Sequence, residues 1–158
     1  MQQGVIAMDV LYVLRAQHDE MRKNFLDLGN DSAKAQAVLS RLLGYINAAR
    51  ECLYPELSDL ISDGEALLEG ASEHWAILAK ISKSLEKDAK KGGAIAGKAA
   101  ELSKAAEAYF QFEEQMVMPK VRSGIRTEER EDLGDLFLDE VADRQSPGSL
   151  ARDQEFRA

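Results

Sequence analysis

The stretch Tyr45-Ile-Asn-Ala-Ala-Arg-Glu-Cys-Leu-Tyr-Pro55 and its counterpart Tyr109-Phe-Gln-Phe-Glu-Glu-Gln-Met-Val-Met-Pro119 decide how this chain is read. Each sets a tyrosine ten residues before a proline. Each also follows a segment that carries a lone histidine on an apolar stripe, His18 before the first and His74 before the second. These are the two histidines of the chain. The sequence therefore reads as a duplicated helical pair, with polar side chains where a helical core is normally oily, a pattern that calls for a chemical reason.

Outward from these stretches, apolar residues recur at helical spacing. Leu11, Leu14, His18, Met21, Phe25 and Leu28 lie on one face of a first helix over about 8–28, and Gly29-Asn30-Asp31-Ser32 stops it and caps the next. The second helix is predicted over about 33–62, with the stripe Val38, Leu42, Tyr45, Ala49 and Cys52, and a kink or break at Pro55. Gly64 and Gly70 frame a loose connection. The third helix is predicted over about 72–90, with Ser72 as its cap and His74, Ile77 or Leu78, Ile81 and Leu85 on its inner face. Lys91-Gly92-Gly93 makes the next turn. The fourth helix covers about 94–118, presenting Ile95, Ala99, Leu102, Ala106, Tyr109, Glu113 and Met116, and Pro119 ends it. A short fifth helix runs from Thr127 to about Ala142 and docks through Leu133, Leu136, Phe137 and Val141. No segment alternates with the two-residue period of a strand. The expectation is an all-α, up-down-up-down four-helix bundle with a short C-terminal fifth helix: one domain over 1–143 and a flexible tail over 144–158.

Composition sets the broad class. At 158 residues and 45% apolar content the chain can bury a substantial core. Its net charge of −8 argues against nonspecific nucleic-acid binding, which needs clustered Lys and Arg; the Lys83, Lys87, Lys90, Lys91 and Lys98 group reads as a solvated helix face. The single cysteine, Cys52, has no internal disulfide partner and fits a reducing compartment and a core position. Asp9 and Arg15 interrupt the one candidate leader, and no run approaches eighteen apolar residues, so a cytoplasmic protein without a membrane span is expected. There is no phosphate-binding glycine loop, no Cys-x-x-Cys zinc motif and no arrangement suggesting a Ser-His-Asp triad.

The stripes direct His18, Tyr45, His74, Tyr109 and Glu113 to the bundle axis, at least one from each long helix. Tyr109 and Glu113, four apart, share a face. Glu20 and Glu114 are predicted by helical phase to point elsewhere. A histidine or tyrosine on such a stripe can simply be a hydrogen-bonded core residue. A carboxylate there costs several kcal/mol unless it is neutralised, paired with a histidinium or bound to a cation.

At these residues the chain resembles the hemerythrin-like (HHE cation-binding) family over about 8–140. His18 in Gln17-His18-Asp19-Glu20-Met21-Arg22, His74 in Glu73-His74-Trp75 and Glu113 before Met118-Pro119 match the family's ligand positions, and Leu53-Tyr54-Pro55 matches a flank. The resemblance implies a four-helix bundle around a non-haem iron site. Tyr45 and Tyr109 stand where the family has histidines, and Ala49 where it has a bridging glutamate. Two readings follow. In one, His18, Tyr45, His74, Tyr109 and Glu113 bind iron, mononuclear or di-iron. Two phenolates and a carboxylate then balance ferric charge, and the implied role is dioxygen, peroxide or redox sensing, or iron handling. In the other, the same residues form a metal-free buried network and the domain is a regulatory or protein-interaction module.

Overall fold

The computed structural model describes residues 8–145. Every regular element among them is helical: α1 Val10–Leu26, α2 Ser32–Ala48, α3 Tyr54–Leu60, α4 Gly64–Lys90, α5 Ala96–Phe112, α6 Met118–Gly124 and α7 Thr127–Arg144. Two π-helical turns, Ala49–Leu53 and Glu113–Val117, join α2 to α3 and α5 to α6 without a break in the chain's helical path. The expected flexible tail lies, from residue 146 on, outside the described residues.

The duplicated Tyr-to-Pro stretches account for those turns. A proline inside an α-helix has no N–H to donate, and its ring collides with the carbonyl four residues back. In the π-turns the N–H of Tyr54 reaches the carbonyl of Ala49, and that of Met118 reaches Glu113, each five residues back. The wider turn accommodates Pro55 and Pro119 in the first turns of α3 and α6. Pro119 therefore does not end the fourth helical rod, which continues to Gly124.

The extra residue in each turn also shifts the helical face. Cys52 and Met116, expected inside, sit half-buried and exposed, while Leu53, Tyr54, Val117 and Met118 are buried in their place.

The third helix differs from expectation as well. It starts at Gly64, not near residue 72, and Gly70 lies within it. Gly64 is fixed by space: a Cβ there would lie 2.2 Å from the Leu57 carbonyl oxygen, where the chain doubles back from α3. The buried stripe of α4 is Leu67, Ala71, Trp75, Leu78, Ser82 and Leu85. Trp75 takes the inward position expected for His74, and Ile77 is left exposed.

Cross-helix contacts show that neighbours run antiparallel. His18 of α1 meets Tyr45 of α2 while Asn24 meets Arg41. His74 of α4 lies against Tyr109 of α5 while Ser84 meets Lys98. His18 meets Glu113 while Arg22 meets Glu107, which closes the arrangement between α1 and α5.

Of the expected end signals, Asp31 and the glycines after α1 and α4 act as read, whereas Ser72, expected to cap the third helix, lies inside α4 with its hydroxyl donating to the Leu68 carbonyl. Asp9 and Asp31 cap α1 and α2 by accepting from the backbone N–H of Leu11 and of Ala33 and Lys34. Gly29 and Gly92 take the left-handed backbone that ends α1 and α4, at φ 55° and 72°. The Asn30 amide oxygen reaches across to the N–H groups of Ile95 and Ala96, capping α5 from the first loop.

α7 packs on α1 and α2 through Leu133, Phe137 and Val141. Arg130 anchors it by binding Asp9 at 2.9 Å and the carbonyl of Ile125 at 3.0 Å. Gly134 permits the contact: a Cβ there would lie 1.7 Å from the carbonyl oxygen of Met8. One continuous hydrophobic core joins all these elements, and no described helix is long and apolar enough to cross a membrane.

Candidate functional site

Near the middle of this core lies the carboxylate of Glu113, the first residue of the second π-turn and completely buried. Its Oε1 accepts a hydrogen bond from the Tyr45 hydroxyl at 2.5 Å and lies 2.8 Å from Nε2 of His18. Its Oε2 accepts from the hydroxyls of Tyr54 and Tyr109, each at 2.7 Å. Four donors from four helical segments thus meet one carboxylate. His18, Tyr45, Tyr54 and Tyr109 are themselves fully buried.

His18 links this centre to the surface. Its Nδ1 lies 2.7 Å from Oε2 of Glu114. A carboxylate oxygen thus faces each ring nitrogen, and the ring bridges Glu113 and Glu114. It stacks on Phe110 at 4.7 Å, and the Arg22 guanidinium covers the same phenyl ring at 5.4 Å. Arg22 then binds Glu114 at 2.9 Å, Glu107 at 2.8 Å and Asp19 at 3.1 Å. The chain of contacts runs from half-exposed Glu107 through Arg22, Glu114 and His18 to buried Glu113.

Electrostatics follow this geometry. Burial would raise the carboxyl of Glu113, but the hydrogen bond and charge of His18 and the phenols of Tyr45 and Tyr54 hold it below its ordinary value. Glu114 is likewise opposed by burial and held down by Arg22 and His18. Burial first, and then the charge of Glu113, push Tyr45, Tyr54 and Tyr109 well above the ordinary tyrosine value of 10.0. The carboxylate is therefore ionised and the three phenols are neutral donors.

Of the five residues expected at the axis, the structure brings together His18, Tyr45, Tyr109 and Glu113. His74 does not join them. It is half-buried, its ring lies 5.8 Å from Tyr109 and 5.1 Å from Phe112, and it makes no hydrogen bond among the described residues. The expectation that Glu114 points away is overturned, because the π-turn rotates it toward α1. Tyr54 is a member the stripes did not reveal, carried inward by the first π-turn.

The donor set is a poor fit to an iron ion. A ligand shell surrounds a central position with lone pairs. Here that position is filled by the Glu113 carboxylate, and the surrounding groups face it with protons. A cation would have to displace four hydrogen bonds and deprotonate phenols whose environment opposes it. Among the described residues no group of three or more His, Cys, Asp or Glu side chains is arranged to hold a metal. Comparison with protein-family models, curated proteins and solved structures returned no match.

Proposed function

We propose that this protein is a metal-independent regulatory or protein-interaction domain with a hemerythrin-like, up-down-up-down four-helix layout, working in a reducing, cytoplasmic setting. In this reading the ionised carboxylate of Glu113, held by His18 and three phenols, occupies the position that iron takes in the family the sequence resembles. The observation that carries the reading is the saturation of Glu113: a carboxylate has about four acceptor sites, and His18, Tyr45, Tyr54 and Tyr109 take them. The network fixes one packing of the core, which suits a domain whose surface does the recognition.

The experiment is elemental analysis of freshly purified, untagged protein, together with thermal unfolding with and without a chelator and after anaerobic ferrous loading. The reading expects no stoichiometric metal and the same Tm in all three conditions. A second reading, a tyrosine-ligated iron site for oxygen, peroxide or redox chemistry, draws on the gathering of three phenols, an imidazole and a carboxylate at a pair of π-turns, elements that frequently mark functional sites. It expects near-stoichiometric iron and a visible phenolate-to-iron band lost in Tyr45→Phe or Tyr109→Phe. That result would replace the metal-independent reading.

A further inference from the structure

We infer that the groove between α1 and α5 is a binding site for a small amphipathic monocarboxylate, with its chain on an apolar floor and its carboxylate on Lys104. The groove encloses about 560 Å³, within the ~300–1,000 Å³ range of small-molecule sites. Its origin is in the sequence. Where α1 presents Phe25 and Leu26, the facing positions of α5 are Ala100 and Ser103, too small to fill the space between the rods. Leu26 is left 89% exposed on the rim, and Phe25 is half-buried. Phe110 closes the inner end.

Charge selects the head group. The groove holds two cations. Arg22, at the inner end, is already matched by Asp19, Glu107 and Glu114. Lys104 has no carboxylate partner among the described residues, in a chain whose net charge is −8. An unmatched ammonium beside an apolar floor favours an anionic head on an apolar chain and disfavours a cationic one. The Ser103 hydroxyl, next to Lys104, offers a donor to the same carboxylate.

The site is distinct from the buried cluster, because no residue that bonds Glu113 lines the groove. It is nonetheless one ring away: Phe110 is the groove's inner wall and the surface on which His18 stacks. An occupant would bear directly on the ring that orients His18, which gives a regulatory domain an effector site.

Isothermal titration of the full chain with octanoate and decanoate tests this. Saturable one-to-one binding is expected, tightening about three- to fourfold per added methylene. Lys104→Met should weaken decanoate at least tenfold, and Lys83→Met, on α4, should leave it unchanged. Ala100→Phe and Ser103→Leu, which add bulk to the groove wall, should each abolish it while far-UV circular dichroism stays helical. Decyltrimethylammonium should not compete. Absence of saturable binding, indifference to Lys104→Met and both filling variants, or equal binding of the cationic amphiphile would overturn the inference. None of these outcomes depends on whether the Glu113 cluster takes a metal.

Discussion

Replacing Glu113 by glutamine keeps the side chain's volume and removes its charge, and the structure fixes what that must do. Each carboxylate oxygen accepts two hydrogen bonds, His18 and Tyr45 on one and Tyr54 and Tyr109 on the other. Whichever oxygen becomes the amide NH2, two buried donors then face a donor. Hydrogen bonds to a charged group are worth about 1.5–3 kcal/mol each. Loss of two gives about 3–6 kcal/mol, and rotation of a freed phenol hydroxyl toward another partner favours the lower end, about 3–4 kcal/mol. The assay is urea unfolding at pH 7 in the presence of chelator. With a slope near 2 kcal/mol per molar, ordinary for a domain of this class, the midpoint should fall by about 1.5–2 M. Tyr45→Phe alone should cost about 1.5–2 kcal/mol. Added to Glu113→Gln it should cost at least 1 kcal/mol less, because the two changes disrupt the same contact. The sign is diagnostic. Were Glu113 an uncompensated buried charge, its neutral isostere would be stabilising. A loss below 1 kcal/mol, or any gain, would refute the reasoning.

The remaining predictions concern pH and the two histidines. In the folded chain three phenols are raised above 10.0, so the folded state keeps protons that the unfolded chain releases. Stability should therefore fall as pH rises beyond 10, by up to ~1.4 kcal/mol per pH unit for each phenol, ~4 kcal/mol together, and Tyr54→Phe should reduce that slope by about a third in urea titrations at pH 9–11. Glu113 and Glu114 are held below 4.5, so their contribution is full above that pH and is lost as pH falls through their folded-state values, which acid titration of the midpoint should show flattening in Glu113→Gln. His74→Ala should cost only about 1–2 kcal/mol, from lost packing on Tyr109 and Phe112. His18→Ala should cost about 3–5 kcal/mol, because it strips a charge partner from buried Glu113; equal costs for the two would contradict the placement of His74 outside the cluster.

The all-helical architecture was legible because its signals are local and redundant. Apolar residues three and four apart, glycines after α1 and α4 and Asp31 before α2 all point the same way. The inward direction of His18, Tyr45, Tyr109 and Glu113 follows from the same spacing, since each lies within or at the edge of a regular α-helical stretch. What did not follow lies beyond a π-turn. One extra residue in the helical ladder leaves no mark on composition, yet it rotates everything after it. Cys52 and Met116 move outward, Tyr54 and Val117 move inward, and Glu114 comes to face His18. The available clue was Pro55 and Pro119 themselves: each sits in a segment whose apolar pattern continues past it, as Leu57 and Val121 show, and a helix that continues past a proline needs a wider turn before it. The start of α4 was misread for a related reason. Gly64 and Gly70 look alike in sequence, but the first is demanded by the backbone of Leu57 and Ser58, while the second lies inside the helix where a Cβ would come within 2.8 Å of the Phe112 ring. His74 and Trp75 are adjacent on one stripe edge, and Trp75 is the one turned inward, its ring 5.3 Å from that of Tyr54.

The central claim is that an ionised carboxylate, and not a metal ion, organises the buried cluster through His18. Long-range proton–nitrogen NMR of the two ring nitrogens of His18, on protein as purified at pH 7, tests it most directly. The account predicts that both nitrogens carry a proton, with strongly deshielded protons shared with Glu113 and Glu114. A His18 with one unprotonated nitrogen, shifted by a metal or broadened by a paramagnetic one, would contradict it.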